Sequence, residues 1–348
     1  MQPDNRSNIT LIIPAAGKSA RYPGMRPKWM LTHPDGSMMI EKVMAGFKYE
    51  KYKNAHIVVL NKFEADLIIR QAFGDKVNIV ILEKETISCP ETVVQAIKKA
   101  NISGRIIIKD ADCLVTTDTI LDENFVVGLT IDKYSAVKNI QNKSFIVKND
   151  NNIIQDIVEK SIVSDNICLG VYCLLSEHFV ESYEAINNSN LLFSKKELYV
   201  SHIISNLLIN KDNIFQFVQA KKYIDWGTLK EWKEERSKFN TYIFDIDGVM
   251  LINYGKYGSK NWSNTFEPIS ENFDLVKKLS NQGSEIIFMT SRPAKYLTHF
   301  KDFLNKNNIL YKTIIADCNH SRRIIVNDFA NTNPYPSCES ISVERNSN

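Results

Sequence analysis

The feature that most constrains the fold is a regular alternation of short apolar runs with amphipathic stretches between residues 10 and 109. The apolar runs predict buried strands at residues 11–14, 56–60, 77–82 and 105–109. The amphipathic stretches predict helices at residues 41–47, 64–73 and 91–100. Strands and helices that alternate in this way form a mostly parallel sheet with helices on both faces. The first part of the chain is therefore predicted to be an α/β domain.

The pattern becomes less regular after residue 110 and begins afresh near residue 239. Strands of a mixed, substrate-binding half are predicted at residues 145–148, 153–159 and 168–174. A charged helical stretch at 229–238 precedes a second series, with strands at 241–244, 285–290 and 323–326 and helices at 274–282 and 296–305. A chain of 348 residues is too long for one ordinary core. Two α/β domains are predicted, at residues 1–238 and 239–348.

The composition is that of a soluble globular protein, with 44% hydrophobic and 24% charged residues. The formal charge of +3 and the lack of a Lys/Arg block argue against nucleic acid as a partner. No apolar run approaches the length of a membrane span, and the start of the chain is polar. The six cysteines form no CxxC pair, which favours the cytoplasm with reduced thiols. A homo-oligomer is one expectation, and the sequence leaves the number of subunits open.

A loop of small residues follows the first predicted strand, in the run Pro-Ala-Ala-Gly-Lys-Ser-Ala-Arg that ends at Arg21. Small side chains let backbone N–H groups approach a triphosphate closely. Arg21 and, after Pro27, Lys28 supply positive charge for the phosphates. The residues predicted to line the triphosphate are Ala15, Ala16, Gly17, Lys18 and Ser19. The alternative is a tight strand-to-helix turn that carries surface cations.

Three carboxylates follow predicted strands in this domain. Asp110 and Asp112 come directly after strand 105–109, at the end of a strand where ligands bind in open α/β sheets. Two residues of spacing on an extended chain would put both carboxylates on one side, where a Mg²⁺ ion could separate them. The alternative is that Asp110 caps a turn and Asp112 is solvated. Asp225, in Tyr-Ile-Asp-Trp-Gly-Thr, is a further ligand candidate, although such a residue is most often a helix N-cap.

The order of four segments resembles that of the sugar-phosphate nucleotidylyltransferase family. Along the chain these are the loop from Pro14 to Lys28, the Asp-Ala-Asp segment, the pair Glu159-Lys160 and the Asp-Trp-Gly-Thr segment. The resemblance covers about the first two thirds of the chain and implies a Rossmann-like domain with a mixed, mostly parallel sheet. It implies that Asp112 and Asp225 bind Mg²⁺, with Asp110 adjacent. It also implies that Arg21 and Lys28 act on the triphosphate and that Lys160 binds the attacking phosphate.

The same resemblance assigns the remaining substrate contacts. Glu159 and Gly170 belong to segments that contact the sugar phosphate in this family. Glu91 and Thr92 occupy the place where the family contacts the base. This segment departs from the Gly-rich form expected in thymidylyl and uridylyl enzymes, which favours CTP as the nucleotide.

The second domain carries its own set of polar residues after apolar runs. Asp245 and Asp247 follow strand 241–244, Thr290 ends strand 285–290, and Asp328 follows strand 323–326. Side chains at the carboxyl ends of three strands fit one metal-assisted phosphoryl site. A carboxylate nucleophile beside a second carboxylate suits an aspartyl-phosphate mechanism.

This arrangement resembles the haloacid dehalogenase superfamily over the last third of the chain. The resemblance implies that Asp245 is the nucleophile, Asp247 the acid/base and Thr290 a phosphoryl ligand. It implies a Mg²⁺ site at Asp245, Asp247 and Asp328. A basic residue should hold the phosphoryl group, and we favour Arg322 over Arg323 and Lys312. The stretch from 248 to 285 is too short for a large cap, so a small capless domain is expected.

The sequence thus predicts a bifunctional Mg²⁺-dependent enzyme. One domain would transfer a nucleoside monophosphate from a nucleoside triphosphate, with CTP favoured, to a sugar or alditol phosphate and release pyrophosphate. The other would hydrolyse a phosphomonoester. The resemblance implies that activated building blocks of this kind feed the synthesis of a capsule or another surface polysaccharide. Two alternatives remain: a nucleotidyltransferase with a noncatalytic binding or oligomerisation module, and a nucleotide sensor.

Overall fold

The computed structural model describes residues 7–132, 137–188, 197–209, 213–255, 262, 266–328 and 338–347. The chain folds as two compact units, Met1–Leu229 and Lys230–Asn348. The division falls somewhat before the predicted boundary at residue 238. Each unit is an α/β structure.

A parallel four-stranded array forms the centre of the first unit. Its strands are β1 (Ser7–Pro14), β2 (Tyr52–Leu60), β3 (Asn78–Leu82) and β4 (Arg105–Lys109), in the order β4-β1-β2-β3. The helices between them are α1 (Met39–Gly46), α2 (Ala65–Phe73) and α3 (Cys89–Ala100). Leu11 and Ile13 pack into one core and Ile12 into the other, because successive side chains of a strand point to opposite faces. This confirms the predicted mostly parallel sheet.

Beyond β4 the sheet is mixed, with both antiparallel and parallel strand pairs. The elements that follow β4 in the chain are β5 (Cys113–Thr116), β6 (Phe125–Thr130), β7 (Ser144–Lys148), β8 (Ile154–Glu159), β9 (Asn166–Leu175), α4 (Ser176–Asn188), α5 (Val200–Ile209), β10 (Gln216–Gln219) and β11 (Lys222–Asp225). Strand β9 lies antiparallel between β4 and β6, and the β7–β8 hairpin pairs with β9. The mixed half is therefore confirmed. No helix in the described residues is long and apolar enough to cross a membrane.

A separate two-stranded ribbon positions two of the predicted carboxylates. Strands β5 and β11 pair antiparallel, and their register places Asp225 directly opposite Cys113. The backbone N–H of Trp226 donates to the carbonyl oxygen of Asp112 over 2.9 Å. Asp112 and Asp225, which are far apart in the sequence, therefore meet at the end of this ribbon.

The second unit has a three-stranded parallel sheet in the order β12-β13-β14. Its elements are α6 (Leu229–Ser237), β12 (Thr241–Asp245), α7 (Ser270–Gln282), β13 (Glu285–Met289), α8 (Thr298–Lys306) and β14 (Thr313–Ile315). Phe273, Phe288 and Phe300 form the centre of its apolar core, with Phe288 and Phe300 in edge-to-face contact. The strands and helices predicted between 241 and 305 are present with shifts of a few residues at their ends.

The strand predicted at residues 323–326 is wrong. Residues 322–328 have no regular secondary structure, and Ile324, Ile325 and Val326 are exposed. The third strand is β14, which takes the free edge of β13. An apolar triplet becomes a strand only where a sheet edge accepts its hydrogen bonds, and none of the described pairings does so here.

Candidate active sites

The loop after β1 is buried at its start and exposed further along. Ala15 and Ala16 are buried, and the backbone N–H of Ala15 donates to the carbonyl oxygen of Val58 over 2.8 Å. Gly17 and Lys18 are exposed. Ser19 has a φ of 51°, and its Oγ accepts a hydrogen bond from the backbone N–H of Lys28 over 3.2 Å. Ser19 thereby fixes the start of the Lys28 segment against the loop.

Two carboxylates, each paired with a lysine, converge on Gly227. The Lys28 ammonium lies 2.6 Å from Oδ2 of Asp112, and the Lys143 ammonium contacts Oδ2 of Asp225. Atoms of Asp112, Asp225 and Arg21 all lie within 4 Å of the point that a Cβ on Gly227 would occupy. The structure therefore brings together four of the predicted residues: Arg21, Lys28, Asp112 and Asp225.

The two acids of the Asp-Ala-Asp segment have different surroundings. Burial alone would raise the pKa of Asp112, but the charge and hydrogen bond of Lys28 outweigh burial and hold it well below its usual range. Burial and the negative charge of Asp112 raise the pKa of Asp110 to about 6. Residues 111 and 112 form a turn, so the alternation expected for an extended chain does not apply to this pair.

Gly170 makes room for Asp110. Its φ is +67°, and a Cβ there would lie 2.1 Å from Oδ2 of Asp110. The Asp110 backbone N–H donates to the Gly170 carbonyl oxygen over 2.8 Å. Gly170 was predicted as a substrate contact, and its visible role is to let the Asp110 carboxylate fit against β9.

We expect Gly170→Ala to destabilise the protein by about 2–5 kcal/mol, because strain at positive φ adds to a clash with a carboxylate. Thermal or denaturant unfolding measures this loss. Gly104→Ala is the matched control, since Gly104 also has positive φ (+78°) but no atom within 4 Å of the added Cβ. Equal losses in the two variants would contradict the assigned role of Gly170.

Glu159 and Lys160 lie at the end of the β7–β8 hairpin, beside α5. The Glu159 carboxylate accepts hydrogen bonds from the hydroxyls of Ser144 and Ser201. The Lys160 ammonium lies 4.2 Å from the centroid of the Tyr199 ring and donates to its hydroxyl. The Tyr199 hydroxyl in turn donates to Glu197 over 2.8 Å. Lys160 is exposed, so its ammonium is accessible to an anionic ligand.

Glu91 and Thr92 take part in the N-terminus of α3. Ser88 caps this helix by accepting a hydrogen bond from the Glu91 backbone N–H, and the Glu91 carboxylate accepts one from the Ile87 N–H. Thr92 is buried, and its hydroxyl lies 2.6 Å from that of Thr86. Both side chains thus have structural roles, and their contact with a base stays a prediction.

Sequence reasoning missed two lysines at this site. Lys109 is fully buried, and its ammonium donates to the carbonyl oxygens of Asp110 (2.6 Å) and Cys113 (2.9 Å). It thereby fixes the turn that carries Asp112. A lysine that ends an apolar strand and precedes two acids could have indicated this role. Lys143 had no local signal, because its partner Asp225 is distant in sequence.

The oxygen ligands around Gly227 fit Mg²⁺ in kind. Mg²⁺ is commonly bound by one or two carboxylates, with phosphate oxygens and water completing its shell. Among the residues described, no group of three or more His, Cys, Asp or Glu side chains is arranged to hold a metal ion by itself. Asp112 and Asp225 could therefore bind the ion together with phosphate oxygens of a nucleotide.

The second unit brings Asp245, Asp247 and Thr290 to one end of its sheet. Asp245 ends β12, opposite Met289 in the register, and Thr290 follows directly. The Thr290 hydroxyl lies 3.4 Å from Oδ2 of Asp247. Burial raises the pKa of Asp245, and the negative charge of Asp247 adds to the effect. The predicted nucleophile, acid/base and phosphoryl ligand are therefore neighbours.

Two arginines act on the carboxylates of this site. The guanidinium of Arg292, only 3% exposed, lies 2.5 Å from Oδ1 of Asp247, and the charge of Arg323 acts on Asp245. Arg322 and Arg323 are both exposed, and the role predicted for Arg322 in holding a phosphoryl group stays a prediction. Asp328 lies in the irregular segment 322–328, so it is not at the end of a strand as predicted. A role of Asp328 in a Mg²⁺ site therefore stays a prediction.

We expect Arg292→Met to destabilise the second unit by about 3–5 kcal/mol, because it leaves Asp247 as a shielded carboxylate without its ionic partner. Lys312→Met is the control, since the Lys312–Glu285 ion pair is exposed and should contribute at most about 1 kcal/mol. Denaturant unfolding of both variants tests this contrast. If the Arg292 variant loses no more stability than the Lys312 variant, the Arg292–Asp247 ion pair does not stabilise the second unit.

Comparison with known proteins identifies solved structures that share this fold. No family model and no curated protein matches the sequence. Similar solved structures include a nucleoside-diphosphate-sugar pyrophosphorylase from Vibrio cholerae (20% identity, TM-score 0.57, 65% of this chain and 99% of that one). An inositol-1-phosphate CTP transferase from T. maritima follows (12%, 0.52, 65% and 92%). A CTP:phosphocholine cytidylyltransferase from Streptococcus pneumoniae is also similar (16%, 0.50, 66% and 99%).

The covered share is close to that of the first unit, which spans 229 of the 348 residues. At these identities the likeness concerns the fold and not the substrates. The chain therefore shares a mixed α/β fold with solved nucleotidyltransferases.

Proposed function

We propose that the first unit transfers a nucleoside monophosphate from a nucleoside triphosphate to the phosphate of a sugar or alditol phosphate. The observation that carries this proposal is the convergence of Asp112, Asp225, Arg21 and Lys28 around Gly227. The site combines oxygen ligands for a metal with cations for phosphates, as phosphoryl transfer requires. The solved structures that share the fold are named as pyrophosphorylases and CTP transferases, which supports the same reaction type.

The reaction follows from charge and position. An oxygen of the acceptor phosphate attacks the α-phosphorus, the new P–O bond forms, and the bond to the β-phosphate oxygen breaks so that pyrophosphate leaves. A phosphate monoester is already ionised at neutral pH, so no strong general base is needed. Arg21 and Lys28 neutralise charge on the triphosphate and on the leaving pyrophosphate.

Asp112 and Asp225 would hold a Mg²⁺ ion, which when bound neutralises phosphate charge. Lys109 fixes the turn that carries Asp112, and Asp225 is held by its own hydrogen bond from the Gly227 N–H over 2.9 Å. The carboxylates are thus placed before substrate arrives. Such preorganisation lowers the cost of reaching the transition state.

The acceptor would bind beside the β7–β8 hairpin. Lys160 would contact the attacking phosphate, while Glu159, Ser201 and Tyr199 would shape the pocket for hydroxyls of the sugar or alditol. Glu91 and Thr92 would lie near the base. CTP is the proposed nucleotide, supported by the resemblance and by the names of two solved structures that share the fold. A product of this kind suits the synthesis of a capsule or another surface polysaccharide.

The test is pyrophosphate release by the purified full chain with MgCl₂, each common nucleoside triphosphate and a panel of sugar and alditol phosphates. We expect repeated turnover with CTP and one acceptor class. Binding of nucleotide without turnover across the panel would instead favour a sensor.

The neighbouring Asp245, Asp247 and Thr290 favour a second function, hydrolysis of a phosphomonoester by the second unit. Asp245 would attack the phosphorus, the ester oxygen would leave with a proton from Asp247, and water would then hydrolyse the aspartyl phosphate. Thr290 and Arg323 would hold the phosphoryl oxygens, and the Asp carboxylates would hold Mg²⁺. The alternative is a noncatalytic module with the same fold.

A further inference from the structure

Lys143 makes an ion pair that is largely shielded from water. Its side chain is 15% exposed and that of Asp225 is 17% exposed. Its ammonium also lies 2.8 Å from the Tyr223 hydroxyl. Besides this contact, the Lys143 charge acts on the carboxylates of Asp112 and Asp110. One ammonium thus neutralises part of the charge of three acids at the proposed metal site.

The backbone of Lys143 belongs to the opposite half of the site. Its carbonyl oxygen accepts a hydrogen bond from the Lys160 N–H over 3.1 Å, at the residue proposed to bind the acceptor phosphate. The next residue, Ser144, donates to Glu159. Lys143 is therefore fixed to the acceptor hairpin while its side chain reaches the metal carboxylate.

This position makes binding of a cation and of an anion depend on each other. A divalent cation on Asp225 would stand next to the Lys143 ammonium, and their repulsion would weaken the cation's binding. The repulsion falls when phosphate oxygens accompany the cation, because the ammonium then finds a new anionic partner. Lys28 and Asp112 form a second pair of the same kind beside it.

We propose that Lys143 is a phosphate-binding residue of this site and that its ion pair with Asp225 opposes binding of Mg²⁺ until phosphate groups arrive. The inference rests on the proposed nucleotidyl transfer, which makes these carboxylates a metal site. With Mg²⁺ and phosphate groups bound, Asp225 would contact the metal ion in place of Lys143, and Lys143 would contact phosphate oxygens in place of Asp225. No covalent bond changes in this exchange.

Calorimetric titration of the full chain with MgCl₂ alone, and separately with inorganic pyrophosphate alone, tests the proposal. We expect Lys143→Met to bind Mg²⁺ on the order of tenfold more tightly and pyrophosphate on the order of tenfold more weakly than the parent protein. Lys143→Arg keeps the charge and should stay close to the parent in both titrations. A general structural defect would instead weaken the binding of both Mg²⁺ and pyrophosphate.

Lys148→Met is the matched control, because Lys148 carries the same charge at the far end of β7, the strand that Lys143 directly precedes. Lys148 contacts Asn152 and the Phe217 ring, and we expect both affinities to stay at the parent value. If Lys143→Met fails to fold, Lys143→Gln keeps a hydrogen-bond donor for Asp225 without the charge and should shift both affinities in the same directions. Unchanged or weakened Mg²⁺ binding in the folded variant would overturn the proposal.

These titrations need no turnover, so they separate the inference from the proposed function. If the affinities for Mg²⁺ and pyrophosphate shift in opposite directions, but the parent protein releases no pyrophosphate with any acceptor, the role of Lys143 is supported and the transferase is contradicted. Conversely, the parent protein could release pyrophosphate while its Lys143→Met variant binds Mg²⁺ and pyrophosphate with parental affinity. That result would support the transferase and contradict the role proposed for Lys143.

Discussion

Asp112→Asn is expected to lower the rate of pyrophosphate release by about a thousandfold or more. The substitution keeps the size of the side chain but removes a charge that lies in the centre of the site, next to Lys28 and within 4 Å of the Gly227 Cβ position. It leaves Lys28 without its ionic partner and, in the proposed reaction, would weaken a ligand of Mg²⁺. In that reaction both changes would act on the step in which charge moves onto the leaving pyrophosphate. Steady-state pyrophosphate release at saturating MgCl₂ measures the loss.

Asp118→Asn is the control for this substitution. Asp112 directly precedes strand β5, and Asp118 lies just after the end of that strand. Asp118 is exposed, and its ion pair with Lys221 is at the surface. Its loss should change the rate by less than about threefold, because exposed pairs contribute little. Phosphate release by the second unit should be intact in both variants. A folded Asp112→Asn protein that keeps parental pyrophosphate release would remove Asp112 from the active site.

The central sheet could be predicted because its strands are buried on both faces. Such strands are nearly continuous apolar runs, and the run at residues 105–109 matches β4 as observed. The loop after β1 and the acids after β4 could also be located, since ligand sites in open α/β sheets lie at strand ends. These inferences use only local sequence and a general rule of topology.

The partners of the site residues could not be predicted in the same way. The contact of Lys143 with Asp225 depends on the register of β5 with β11 and on the placement of the β7 hairpin. Nothing local to residue 143 distinguishes it from a surface lysine. Gly170 was recognised as part of a motif, but only the structure shows that the Asp110 carboxylate fills the space of its missing side chain.

The second unit shows the limit of reading apolar runs alone. The run at 324–326 is as apolar as β13, yet it is exposed, while the short strand β14 pairs with β13. Arg322 directly precedes this run, and because the predicted strand does not form, its position relative to the sheet could not be predicted. Arg292, which binds Asp247, follows Thr290 by two residues and could have been considered from its position after a strand end.

Asp245→Asn is expected to lower phosphate release from a phosphomonoester by at least about 10⁴-fold. An amide cannot act as the nucleophile that forms an aspartyl phosphate, whereas the Asp245 carboxylate ends β12 beside Thr290 and Asp247. The substitution is close in size, and the backbone N–H of Ile246 can still donate to the side-chain oxygen, as it does now over 2.9 Å. The fold of the second unit should therefore persist. Inorganic phosphate release from a panel of phosphomonoesters with MgCl₂ measures the effect.

Asp274→Asn provides the comparison, because Asp274 is an exposed acid on α7 of the same unit and should be neutral for phosphate release. Asp245→Asn should leave pyrophosphate release by the first unit at its parental rate. Parental phosphate release in the Asp245 variant would point to a contaminating phosphatase and leave the second unit as a noncatalytic module. Loss of both reactions in a protein that still unfolds cooperatively would mean that the units do not act as two separate sites. Loss of phosphate release alone, with pyrophosphate release retained, is the result that two independent sites require.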